Sequence, residues 1–208
     1  KGILSLILTT EKMNESAEKY MHMAQGSIDR LDNTIQDILE YSRNSRLDVN
    51  LDHFDIRPVV QHIFDDIQFV SDNPMRFEIE IEGDSIVYTD QTRLSTIIKN
   101  LASNAAKYRN LNHEQCLVRF ELKKTDQAIH FKVIDNGIGI PEGEKDKVFQ
   151  MFYRVSTDRM GTGLGLFIVS EITRKLNGEI KLESEINIGT SIEIILPIQK
   201  NVLTPINE

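Results

Sequence analysis

The chain of 208 residues has one cysteine, Cys116, and no tryptophan. A single thiol excludes a disulfide framework and a thiolate metal cage, and it suits a reducing compartment, with Cys116 itself read as an inert strand residue. There is no block of Lys and Arg, and the formal net charge is −8. Nucleic acid is therefore not the expected partner, because binding to a phosphate backbone rests on clustered cations. No apolar run approaches the roughly 20 residues of a membrane span. Ile3–Leu8 is short and is followed at once by Glu11 and Lys12, with no small-residue cleavage pattern after it. Internal repeats and low-complexity tracts are also missing. What remains, at 40% hydrophobic and 27% charged residues, is the composition of an ordinary globular protein of one or two domains.

Residues 1–46 differ in kind from the rest. Met21, Ala24, Ile28, Leu31, Ile35 and Ile38 alternate in steps of three and four, the period of a helical seam. Asp29, Arg30, Asp32, Asn33, Gln36 and Asp37 fall between them as the expected wet face. Ile3, Leu4, Ile7 and Leu8 form a shorter stripe, and a turn near Asn14–Ser16, with Ser16 as cap, would join two helices into a hairpin. Two such hairpins make a four-helix bundle, so this part predicts a homodimer; the plainer alternative is a hairpin packed on its own domain.

The polar stretch 44–52 reads as a linker. Beyond it the pattern predicts a strand at 54–56, a helix at 58–70 with Pro58 in its first turn, and strands at 76–82 and 86–88. A long helix then follows from an Asp90 cap to Tyr108, with paired strands at 116–124 and 128–134. A short helix at 148–152 precedes a helix at 164–176 stopped by Asn177-Gly178, and strands at 179–183 and 190–196 close the chain. The fold class is α+β: a helical hairpin (1–46), then an α/β sandwich (47–208) with a mixed sheet and helices on one face.

Two glycine-rich turns carry most of the chemistry. Asp135-Asn136-Gly137-Ile138-Gly139 ends an apolar-alternating run, which puts a carboxylate at the mouth of a strand, where it can accept from an exocyclic amine such as that of adenine. Gly161-Thr162-Gly163-Leu164-Gly165 runs into a helix, whose free N–H groups and dipole attract phosphate. On the helix 90–108, Asn100, Asn104 and Lys107 lie at i, i+4 and i+7 and share a face. Amide oxygens there suit Mg²⁺, a hard cation that keeps much of its water. Taken alone, such asparagines are most often merely solvated. Thr190, after Gly189, can bond a purine through water, or simply open a strand. Phe149, Phe152 and Tyr153 fit a core cluster as well as a lid anchor, and Met151 and Met160 fit lid packing.

Asn100-Leu-Ala-Ser-Asn104-Ala-Ala-Lys107-Tyr108, Asp135-Asn-Gly137-Ile-Gly139-Ile140, Phe149-Gln-Met-Phe152-Tyr153-Arg154 and Gly161-Thr-Gly163-Leu-Gly165-Leu follow one another at suitable separations. In that order they resemble the N box, first glycine box, F box and second glycine box of sensor histidine kinases. The resemblance covers essentially the whole chain, the hairpin matching the family's dimerisation and phosphotransfer part. It implies ATP and Mg²⁺ as cofactors, with Asn104 as the metal ligand and Asn100 close by. Lys107 and Arg154 would meet phosphate charge as the catalytic cations. Asp135 would read the adenine amino group, with Gly137 and Gly139 shaping that end. Gly161, Gly163 and Gly165 would clasp the phosphates, and Tyr108, Ile140, Thr162 and Leu164 would also bind the nucleotide, Tyr108 by closing over it. Residues 141–160 would form a lid. A response-regulator receiver domain is the implied phosphoryl acceptor, and the part carrying the pocket is expected in the cytoplasm, with membrane contact only through other segments.

The family's phosphoacceptor motif of His and an acidic residue is not found. Lys1-Gly2-Ile3-Leu4 resembles its tail, so the acceptor is expected just upstream of Lys1 in a longer parent. None of His22, His53, His62, His113 or His130 stands in a matching motif; in His53-Phe-Asp-Ile-Arg57 the Arg comes one position late. Competing readings are another ATPase of the superfamily, which tends to carry a Glu at the head of the Asn helix, whereas none occurs between Asp90 and Tyr108, and a non-catalytic ATP-binding signalling module. The prediction is direct: incubation of this chain with γ-labelled ATP should leave no acid-labile label on it, and such label would show that one of its own histidines is the acceptor.

Overall fold

The computed structural model describes residues 15–70, 75–155 and 161–198. The first arm of the expected hairpin, with Ile3, Leu4, Ile7 and Leu8, lies outside them, as does Met160. The second arm is a single helix, α1 (Glu15–Arg46). It is already under way at Glu15, so Ser16 sits inside its first turn rather than capping it. It also runs two residues past Asn44, where the sequence pattern breaks. The predicted seam is open on this helix: Leu31, Ile35 and Ile38 are 63%, 53% and 42% exposed.

A chain segment without regular structure, residues 48–51, leads into β1 (Asp52–Asp55) and α2 (Ile56–Val70). The β1 strand thus starts two residues and ends one residue earlier than the pattern suggested. Asp55 explains the earlier end: its Oδ1 accepts the N–H of Arg57 at 3.0 Å and turns the chain into the helix, with Pro58 in the first turn, where its missing N–H costs nothing. After β2 (Met75–Glu82) and β3 (Ile86–Thr89) comes α3 (Gln91–Lys107). Asp90 caps α3 as expected, its Oδ1 accepting from Arg93 N at 3.0 Å. The rest is β4 (Cys116–Lys124), β5 (Ala128–Asp135), α4 (Gly165–Lys175), β6 (Glu179–Glu185) and β7 (Gly189–Pro197). The turn after α4 is made by Asn177 at φ 57°, with Gly178 N returning to Thr173 O at 2.9 Å.

The main sheet has the order β2-β4-β5-β7-β6, parallel at β2·β4 and antiparallel elsewhere; β1 and β3 form a separate antiparallel pair. Alternation decides its two faces. Val118, Phe120, Leu122, Ile129, Phe131, Val133, Ile192, Ile194 and Leu196 point one way and are buried against α2, α3 and α4. The other face is polar, with pairs such as Arg119–Glu78 at 2.8 Å and His130–Glu193 at 2.9 Å.

The helix expected at 148–152 is not formed. Residues 145–152 make a run of turns, most of them i→i−3, after a short 3-10 turn at Glu142–Glu144, and Phe152 takes φ 64° while its N–H bonds Gly163 O at 3.1 Å. That bond to the glycine turn replaces the next helical one. Met151 and Phe152 are exposed, so this cluster is not simple core.

Arg93 ties α1 to the rest. It is buried, paired with Asp90 Oδ2, and donates to Asp48 O (3.0 Å), Asn44 O (3.1 Å) and Leu47 O (2.6 Å). Burial alone would raise the Asp90 pKa. The N–H groups of Arg93 and Asn50, with the guanidinium, outweigh it and hold the carboxyl below its usual range. Removing the cation strands a buried carboxylate, so Arg93→Ala should lower stability by about 3–5 kcal/mol in urea unfolding; a loss under about 1 kcal/mol would show that the cluster is solvated.

Candidate nucleotide site between two helices and the strand ends

The α3 helix, the β5 end and the start of α4 enclose a cavity of about 610 Å³, within the range of small-molecule sites. Asn100, Asn104, Lys107, Tyr108, Asp135, Gly139, Ile140, Arg154, Gly161, Thr162, Gly163, Gly165 and Thr190 all line it. Of the sequence-predicted positions, Gly137 and Leu164 do not. Leu164 is buried in the core below the turn, and Gly137 lies behind the wall.

Asp135 is the last residue of β5, paired with Thr190 of β7. Its Oδ1 accepts from Gly137 N (2.8 Å) and Thr190 N (3.3 Å); among the described residues nothing donates to Oδ2. Desolvation pushes its pKa from the ordinary 3.8 up to about 6, against the pull of those two N–H groups. A half-buried acceptor with an uncommitted oxygen facing a cavity is suited to a neutral N–H donor on a ligand.

The loop after Asp135 is held from two sides. Ile138 N bonds Tyr108 O at 3.0 Å, which ties it to the end of α3, and Asn187 N bonds Ile138 O at 2.9 Å. A Cβ on Gly137 would stand 2.6 Å from Tyr108 O, and one on Gly139 (φ 70°) 2.0 Å from Glu185 O. These glycines are thus required by contacts within the protein, quite apart from any ligand. Asn136 is structural too, its amide bonding Leu117 N and Gln115 O, both at 2.8 Å. Sequence reasoning missed Ser184, whose hydroxyl lies 3.0 Å from Thr190 Oγ1 and accepts from Ile140 N at 2.8 Å. No sequence signal marks it, because it reaches the site only through the pairing of β6 with β7.

At the other end, the Lys107 ammonium lies over the Tyr108 ring at 4.5 Å and against Gly161, where a Cβ would come within 1.9 Å of Nζ. Asn100 Nδ2 donates to Thr96 O at 2.9 Å, so the amide is fixed with Oδ1 toward Gly165 and Asn104 beside it. Among the described residues no three carboxylate, imidazole or thiol groups converge on a metal site. A donor set of amide oxygens fits a Mg²⁺ ion that takes most of its ligands from water and phosphate.

One wall comes from an unexpected source. Asn33, Gln36, Asp37 and Glu40 of α1 line the cavity. The first three belong to the face that the sequence pattern assigns to solvent. A polar stripe serves equally against water or against a polar pocket, and periodicity does not distinguish the two.

Residues 89–200, more than half the chain, match the family of histidine kinase-, DNA gyrase B- and HSP90-like ATPases. The chain belongs to this ATPase family. Within it the similarity is to sensor histidine kinases. The aerobic respiration control sensor protein ArcB of Escherichia coli K12 is 31% identical over 206 residues, 93% of this chain and 26% of ArcB. The chain therefore spans about a quarter of that relative's length. Among solved structures, the mycobacterial sensor histidine kinase MprB is 26% identical with a TM-score of 0.61, over 71% of this chain and 97% of that one. Full-length ShkA in complex with AMPPNP shares the fold at 24% identity and a TM-score of 0.70, over 94% of this chain and 42% of ShkA. Family membership implies ATP binding, and the sensor-kinase type of catalytic domain accounts for the mixed sheet with its helices on one face. Among the described residues no helix is long and apolar enough to cross a membrane.

The raised Asp135 pKa has a consequence for stability. A carboxyl whose folded pKa exceeds its unfolded one makes the fold less stable as pH rises from about 4 through 6, by on the order of 3 kcal/mol in full. Asn at this position keeps the acceptor for Gly137 and Thr190 without the charge. Asp135→Asn should therefore match or exceed wild-type stability in urea at pH 7.5, with the margin shrinking by pH 4.5. A clear loss at pH 7.5 would contradict the desolvation account.

Proposed function

We propose that this chain is the ATP-binding kinase core of a two-component sensor. ATP lies with its base toward Asp135 and Thr190 and its phosphates toward the turn 161–165 and Lys107. The observation that carries this reading is the cavity's polarity: a desolvated acceptor with an open oxygen at one end, a glycine turn and an ammonium group at the other. Asn104, with Asn100 beside it, is the candidate holder of Mg²⁺, which when bound would neutralise charge on the β- and γ-phosphates. Lys107 and Arg154 add cationic charge along the phosphates. Phosphoryl transfer needs positioning and charge stabilisation more than a covalent step by the protein, and these residues supply both.

The acceptor in this reading is a histidine outside this chain, and the phosphoryl group then passes to an aspartate of a response-regulator receiver domain. Residues 1–46 form the dimerisation part and 47–208 the catalytic part. A second copy would cover the open stripe of Leu31, Ile35 and Ile38, whose exposure supports a homodimer. Because it uses ATP, this part works in the cytoplasm, whatever anchors its parent.

Titration with a fluorescent ATP analogue tests the assignment. Asp135→Asn should weaken binding by about 1.5–3 kcal/mol through loss of a charged acceptor. Wild-type affinity should fall as pH drops through about 6, where Asp135 takes up a proton. Asn104→Ala should remove the Mg²⁺-dependent part of the affinity and leave the rest. Unchanged affinity in Asp135→Asn would refute the base contact, and an unchanged Mg²⁺ dependence in Asn104→Ala would refute the metal role.

A further inference from the structure

Four residues of α1 at i, i+3, i+4 and i+7 meet the catalytic part along one stripe. Asn44 gives its carbonyl to Arg93 and Lys175. Tyr41 packs on Phe167 with ring centroids 5.4 Å apart. Glu40 Oε1 accepts from Thr96 Oγ1 at 3.0 Å. The fourth contact differs in where it lands. Asp37 Oδ2 accepts from Thr162 Oγ1 at 2.5 Å, and Thr162 lies inside the turn assigned above to phosphate. The same oxygen of Thr162 accepts from Leu164 N at 3.2 Å, so this hydroxyl also organises the start of α4.

A threonine hydroxyl has one proton to give. Here the chain's own carboxylate takes it, at the place where an anionic ligand would be seated. Asp37 also lines the same cavity as Lys107, whose ammonium rests on Gly161 of this turn. The carboxylate and a phosphate would therefore contend for one donor and one cation, and they repel each other as like charges in a partly enclosed site. The other three contacts do not involve the turn. The clasp at Asn44 lies seven residues along the helix from Asp37, roughly 10 Å, and can serve as a pivot.

We infer that Asp37 is an internal competitor for the phosphate end of the nucleotide site, a latch carried on α1. With α1 docked the latch is closed and nucleotide affinity is lowered. Movement of α1 about the clasp removes the carboxylate and raises affinity, and by linkage bound nucleotide loosens α1 to the same degree. This rests on the nucleotide reading above and adds its regulation.

The test uses the whole chain, wild type and the variants Asp37→Asn, Asp37→Ala and Asp135→Asn, titrated with the fluorescent ATP analogue in Mg²⁺ at low and high salt. Both Asp37 variants should bind roughly three- to tenfold tighter than wild type, with a smaller gain at high salt. Tightening in Asp37→Ala alone still supports the latch and assigns the competition to the hydrogen bond instead of the charge. Equal or weaker binding in both variants, while wild type binds and Asp135→Asn weakens, overturns the latch and leaves the nucleotide reading standing. If no protein binds nucleotide, both fall. Amide exchange without nucleotide gives a second measure: residues 163–165 should exchange faster in Asp37→Ala than in wild type, and equal rates would show that Asp37 does not restrain the turn.

Discussion

Arg93 and Lys175 take up the carbonyl groups that the end of α1 leaves unpaired, and the layout of the site follows from that clasp. A helix leaves its last four C=O groups without intrahelical partners, and a buried helix end must find donors elsewhere. Lys175 donates to Asn44 O (2.5 Å), Ser45 O (2.9 Å) and Leu47 O (2.6 Å), while Arg93 reaches Asn44 and Leu47 from the other side. Both cations also lie at the negative end of the helix dipole. Arg93 is itself fixed by Asp90, the residue that starts α3. One cluster therefore caps one helix, starts another and sets the angle between them. With α1 held in this way, its polar face becomes the fourth wall of the cavity.

The site itself carries a cost in stability. Burying Asp135 in a place that raises its pKa to about 6 costs the fold at neutral pH, and only one of its oxygens is repaid by backbone N–H groups. On the proposed nucleotide reading, a carboxylate kept in this way serves the ligand. The nearby glycines tell a complementary story. Their missing side chains let Tyr108, Glu185 and Phe152 come close to the loops, so the cavity wall is built from backbone packed on backbone. The walls that these loops form are thus shaped by the protein's own contacts, which reduces the cost of ordering them on binding.

Much of this was legible in the order of residues. Strict alternation marked β4 to the residue, because each of its side chains goes either to the core or to water. Asp90 announced the start of α3, because a short acidic side chain before an apolar helical stripe has a local partner to cap. Where the local signal was ambiguous, long-range bonds decided. Phe149-Gln-Met-Phe152 has helical spacing, yet the bond from Phe152 N to Gly163 O takes the chain into a left-handed turn. Ser184 carries no motif at all and comes to Thr190 only by strand register.

The sequence by itself determined the two glycine-rich turns, the shared face of Asn100, Asn104 and Lys107, the alternation of the sheet and the helical character of the first segment, because each is a local pattern of residue type and spacing. Only the tertiary structure decided which side of α1 meets the cavity. Asn33, Gln36 and Asp37 read as a solvent face, since polarity records compatibility with water and not the presence of it. The clasp at Asn44–Leu47 turns that face inward, placing Asp37 against Thr162 across 125 residues of chain. No periodicity within a single helix encodes a contact of that range.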